Sequence, residues 1–367
     1  MIELKDDIIT IGNKETTESF LNKIRRKKPL FICVIGNTET AKIPGISAAG
    51  ANPEITDYTP AADMEYLLYG KCKSIDGVPV TPDGIPTPAL ITKASLDLAG
   101  IPLLIAASGL NVYPKAPYLD LGGKPGRNIS NGQAVDSVID SFKNAEIFGE
   151  HISKIAEYLV IGESIAGGTT TALGVLTAMG YEASDKISSS LPINPIESKI
   201  KIINSGLKKK GLKPGDLQDK PFKAIEFLGD PMQPVHAGLV IGAAKRIPVI
   251  LAGGTQMSAI VALIKSIEPE VLENIAIGTT RWIISDDKTD LKGIVNQINP
   301  GIPILAANLN FSKMKYDGLK TYEQGVVKEG VGAGGSTIAS IISSNGQISI
   351  ENIHQKIEED YRKILNL

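Results

Sequence analysis

Short apolar runs, each closing on glycine or a small polar residue, alternate along the chain with longer stretches of helical period. The runs cover 29–35 before Gly36, 101–107 before Ser108-Gly109, 158–161 before Gly162, 247–251 before Ala252-Gly253, and 302–307 before Asn308. Such runs are expected of strands buried on both faces of a parallel sheet. Between them the spacing predicts helices over 89–99, 131–156, 169–178, 236–245 and 255–266, and a charged amphipathic helix over 350–367. Three runs open on an Ile-Pro pair (Ile101-Pro102, Ile247-Pro248, Ile302-Pro303), a position where proline costs the ladder no hydrogen bond. Strands alternating with helices predict an α/β chain with a doubly wound, Rossmann-like, mostly parallel sheet. Ligands of such sheets sit beyond the carboxyl ends of the strands.

Composition narrows the function classes. With 367 residues, 43% hydrophobic, 37 glycines and 5% aromatic residues, the chain reads as globular and rich in tight turns. Lysine and arginine total 38 against 40 acidic residues, and the short basic runs 25–28 and 208–210 read as solvated helix ends. Nucleic acid is not an expected partner. Cys33 and Cys72 are the only cysteines, which excludes a disulfide framework and leaves no zinc spacing, so no metal or other cofactor is expected. Residues 1–13 carry acids among their apolar positions, and no apolar stretch reaches the ~18 residues of a spanning helix. The expectation is a cytoplasmic protein with no membrane contact.

The sharpest chemical signal lies at 158–172, read as a strand, a glycine turn and a helix start. Gly162, Gly167 and Gly168 permit close backbone approach, and the free amides at a helix amino end favour an anion, with Thr169 and Thr170 at hand. The spacing Gly-x4-Gly-Gly-Thr resembles a P-loop with Gly168 in the lysine position. That loss favours a monophosphate over a triphosphate. A plain strand-to-helix turn capped by threonine is the competing reading. Glu163 would repel a phosphate unless it faces the sugar or a cation, so it is expected near ribose hydroxyls or as a capping carboxylate. A second glycine cluster, 328–337, places Glu329 between Lys328 and Gly330 and leads into an apolar helix at 338–342. Taken alone, that cluster is equally a loop without function. Arg281, Asn308 and Asn310, each after a turn or strand end, are further ligand candidates, whereas His151, His236 and His354 read as structural or surface residues and Asp83 as a turn former.

Together the two clusters, Gly-Glu-x-x-x-Gly-x-Thr-Thr over 162–170 and Glu329-Gly-x-Gly downstream, resemble the nicotinate-nucleotide:dimethylbenzimidazole phosphoribosyltransferase family of cobamide assembly. The resemblance spans roughly 29–340 and is greatest to a divergent archaeal-type branch, through Asp83-Gly84, Pro86-Thr87-Pro88-Ala89, the 162–173 segment and 188–195. It implies one domain over 1–367, with an α/β core at roughly 29–345 and a small helical subdomain formed by the chain ends, 1–28 and 346–367. It also implies a homodimer that moves phosphoribose from nicotinate mononucleotide to an azole or purine-like base. By position, Glu329 matches the catalytic general base and Gly330 and Gly332 the loop around it. Gly162, Glu163, Gly167, Gly168, Thr169 and Thr170 match the nucleotide-binding turn, and Lys199 matches a lysine of the next phosphate-side loop. The acceptor side departs from the family: Gly36-Asn37-Thr38 replaces a Gly-Asp-His, 251–254 lacks an aspartate, and the loop 44–58 aligns loosely with the segment that shapes the base pocket. A phosphoribosyl enzyme with another acceptor, or a nucleotide-binding protein without catalysis, is therefore an alternative.

Overall fold

The computed structural model describes residues 6–47, 55–75 and 84–365; Asp83 and part of the loop 44–58 lie outside them. Among these residues one sheet holds eight strands in the order β1-β8-β7-β6-β5-β2-β3-β4. They are β1 (Ile8–Ile11), β2 (Pro29–Ile35), β3 (Leu103–Ala107), β4 (Leu119–Asp120), β5 (Tyr158–Ser164), β6 (Val249–Ala252), β7 (Ile275–Thr280) and β8 (Ile304–Ala307). Every pairing is parallel except that of β1 with β8.

The central strands are apolar at nearly every position because helices cover both faces. In β2, Ile32 and Val34 enter one core, while Phe31, Cys33 and Ile35 enter the other; β5 divides its residues likewise, with Leu159 and Ile161 opposite Tyr158 and Val160. Helices Thr59–Tyr69 and Ala89–Ala99 carry the chain from β2 to β3 over the second face. Helix Gly168–Ala178 leaves β5 over the first face, on the way to β6. The direction of winding therefore reverses between β2 and β5, the place where α/β sheets open a crevice. The Ile-Pro pairs precede β3, β6 and β8 as expected. Their prolines also supply carbonyls to the neighbouring strands, from Pro102 to Phe31 N, from Pro248 to Leu159 N and from Pro303 to Ile277 N, at 3.0, 3.0 and 2.9 Å.

Several elements differ from the sequence reading. β5 runs on to Ser164, so Gly162 is a strand residue paired with Cys33, and the turn proper is confined to 165–167. β7 is an additional strand, and the Gly278-Thr279-Thr280 that precedes Arg281 forms its buried end. The helix expected from 131 begins at Val138, after Ser137 in a left-handed conformation. Helix Ile196–Lys209 is a further addition. At the amino end, β1 extends the sheet, and helices Lys14–Ile24 and Ile350–Ile364 pack into the second-face core. Among the described residues no helix is long and apolar enough to cross a membrane.

Candidate active site

The two glycine segments meet at the winding reversal. Gly162 sits against Gly332, and Val331 N donates to the Glu163 carbonyl at 3.0 Å, which fastens the second segment to the end of β5. Gly330 lies against Pro88. Past β5 the chain turns through Gly167 at φ +79°, a left-handed conformation natural to glycine, and enters helix Gly168–Ala178. A side chain at position 168 would strike the Gln256 amide oxygen, which gives a steric reason for glycine in place of a P-loop lysine.

Glu329 is half-buried and its carboxylate accepts from Gly330 N at 3.1 Å and Gly334 N at 3.2 Å, across the amino end of helix Ala333–Ser343. Burial pushes its carboxyl up to about 8, against the pull of those N–H donors. Glu163 is turned inward. Its two oxygens accept from Ile165 N, at 3.0 Å, and from the Gln256 side-chain amide. Burial raises its carboxyl well above the usual range, and the charges of Asp230, Glu329 and Asp63 raise it further. Both oxygens are thus engaged with the protein, one by a backbone N–H of the turn and the other by a side-chain amide.

Lys199 is completely buried and projects from helix Ile196–Lys209 toward the first turn of helix Gly168–Ala178. Its ammonium donates to Thr169 Oγ1 at 3.1 Å and to the Ser188 carbonyl at 3.0 Å. Ser188 is in turn held by Thr255 Oγ1, which accepts from Ser188 N at 2.8 Å. Burial holds Lys199 down at about 7, and the charge of Lys328 adds to this. Thr170 Oγ1 is buried and has no partner among the described residues. Thr169, Thr170 and Lys199 therefore gather at one helix amino end, a constellation suited to a phosphoryl group.

Three further polar residues belong to this region and were missed from sequence. Asp63, buried in helix Thr59–Tyr69, accepts from Ser164 Oγ and Thr87 Oγ1, both at 2.8 Å, and so ties the end of β5 to the segment before helix Ala89–Ala99; burial raises it to about 6. Asp230 accepts from Thr171 Oγ1 at 2.5 Å and from Met232 N at 3.0 Å, and burial raises it likewise to about 6. Gln256 spans Glu163 and Gly168. A lone acid within the apolar stretch Ala61-Ala62-Asp63-Met64 was a local sign; Gln256 and Asp230 had none beyond their turns. The other ligand candidates are committed elsewhere: Arg281 pairs with Glu323 at 2.6 Å, Asn308 donates to the Asp6 carbonyl, and Asn310 N donates to His354. Among the described residues no set of three His, Cys, Asp or Glu side chains is placed to hold a metal.

The architecture is that of a known group of phosphoribosyltransferase structures. The crystal structure of CobT from Thermus thermophilus superposes with a TM-score of 0.57 at 14% identity, covering 90% of this chain and 88% of that one. A nicotinate-nucleotide-dimethylbenzimidazole phosphoribosyltransferase structure from the same organism gives 0.57 at 15%, over 92% and 90%. The likeness is one of fold, and it is the fold that the sequence resemblance implies. No protein-family model matches the chain. Its sequence relatives are closer: UPF0284 proteins of Sulfolobus acidocaldarius, 45% identical over 95% of this chain and 100% of the relative, and of Sulfurisphaera tokodaii, 47% identical over 92% and 94%. The UPF0284 protein of Methanothermobacter thermautotrophicus is 40% identical over 95% and 96%. The chain belongs to the UPF0284 family.

Proposed function

We propose that this protein is a phosphoribosyltransferase that moves phosphoribose from nicotinate mononucleotide to a benzimidazole-like or other lower-ligand base, giving an α-ribazole-type phosphate for cobamide assembly. The observation that carries the reading is the union of the two glycine segments, which sets the Glu329 carboxyl at the same crevice as the Thr169–Lys199 anion site. The nucleotide phosphate binds at the amino end of helix Gly168–Ala178. Glu329 takes the N–H proton of the base while the other ring nitrogen attacks C1′ of the ribose. The C1′–N bond to the pyridinium breaks, its electron pair stays with the departing ring, and nicotinate leaves. A carboxyl raised to about 8 is a stronger base than an ordinary glutamate, which suits proton removal from a weak acid.

The test is to incubate the purified protein with nicotinate mononucleotide and a panel of azole and purine bases, and to follow products by mass spectrometry. Base-coupled ribotide and nicotinate in equal amounts are expected. Nicotinate without coupled base would replace this acceptor by water, and no consumption of the nucleotide would overturn the reading.

A further inference from the structure

Lys328 stands immediately before Glu329, is almost wholly buried, and has its backbone fixed between the end of β7 and the segment 188–190. Thr280 Oγ1, at the end of β7, donates to its carbonyl at 2.6 Å. The preceding residue, Val327, donates from its amide to the Ser190 carbonyl at 3.2 Å, two residues beyond the Ser188 carbonyl that holds Lys199. The Lys328 ammonium forms an ion pair with Asp286. Two buried ammonium groups therefore share one neighbourhood, and Lys199 responds to the charge of Lys328.

Like charges are not buried together without compensation. Asp286 serves Lys328, but the partners of Lys199 are a hydroxyl and a carbonyl. Lys199 therefore faces neutral partners, and the negative charge opposite it is one that a phosphoryl group would supply. Resting on the phosphoribosyl reading above, we propose that Lys328 is the second cation of the phosphate site, with Asp286 holding its ammonium until phosphoryl oxygens take that place. Asp286 and the ligand are then competitors for one ammonium group.

Competition separates this role from a structural one, because the two halves of the ion pair should then act in opposite directions. Affinities of the full-length protein for inorganic phosphate and for nicotinate mononucleotide are measured by isothermal titration calorimetry, with melting curves to confirm folding. Lys328→Met is expected to weaken both ligands by about tenfold or more. Asp286→Asn is expected to tighten both, and Lys328→Arg to bind within a few-fold of the parent. A structural ion pair predicts that Lys328→Met and Asp286→Asn shift affinity in the same direction or leave it alone, and either result overturns the proposal, as does a parent protein that binds neither anion. Transfer to a base with no opposed effect would sink Lys328 alone. Opposed effects with no transfer would sink the transferase reading and leave the anion site standing.

Discussion

A methyl group on Gly162 would come within 3.0 Å of the Gly332 Cα and 3.1 Å of its nitrogen, so the two glycine segments touch backbone to backbone. Gly162→Ala has no conformational penalty of its own in a strand and acts through this crowding alone. It is expected to cost about 1–3 kcal/mol of stability and to raise KM for the nucleotide as the segments part. Unchanged melting and unchanged KM would show that the contact constrains nothing.

Glu329→Gln keeps the side chain's shape and removes its proton affinity. Turnover is expected to fall by about 10²–10⁴ with nucleotide affinity retained. In the parent protein the basic form of Glu329 is populated as pH rises through about 8, so kcat, measured at saturating nucleotide so that the phosphate keeps Lys199 charged, should climb over that range and level off above it. A profile flat from pH 6 to 9 would exclude Glu329 as the base.

Stability should fall with rising pH, the reverse of the usual acid sensitivity. Unfolded carboxyls titrate at about 4, whereas Asp63 and Asp230 are raised to about 6 and Glu329 to about 8. From about pH 4 to 8 the folded state thus retains protons that the unfolded state has released, and ∂ΔG/∂pH is negative. Thermal melts of the ligand-free protein should show a higher Tm at pH 5.5 than at pH 8. Asp63→Asn should flatten the part of this slope below about pH 6.

Lys199 works with the opposite sign. Its folded-state value of about 7 lies below that of an unfolded lysine, so the burial penalty develops as pH drops from about 10 to 7 and is complete below that. Lys199→Met should therefore melt higher than the parent at pH 6, with the difference shrinking toward pH 10. The same variant should lose phosphate binding, and retention of full phosphate affinity would remove Lys199 from the anion site.

The strands legible in the sequence were those buried on both faces, because a long apolar run needs no knowledge of its neighbours. β7 escaped because its last residues, Gly278, Thr279 and Thr280, are polar or small yet buried, a status conferred by helix Ala333–Ser343 packing above them. The short edge strands β1 and β4 had too few residues to show a period. Within the site, the Gly162–Thr170 and Glu329–Gly332 segments carried local signals of glycine and helix start. Gln256 and Asp286 did not, because each takes its meaning from a partner far along the chain, Glu163 and Lys328 respectively; Asp63 stood out among its alanines, but nothing near it pointed to Ser164 and Thr87. Gly162 was visible as special, but as a turn glycine; only the presence of Gly332 opposite shows that it is kept small for contact.

The antiparallel strand at the sheet's edge bears on how the chain reaches this state. Pairing Ile8 with Ala307 joins residues about 300 positions apart, a loop whose closure entropy no local contact repays. β8 must already be seated before β1 has a template, so the amino-terminal strand belongs to a late event in folding. In hydrogen-exchange pulse labelling during refolding, the amides of Ile8–Ile11 should gain protection after those of β2 and β5.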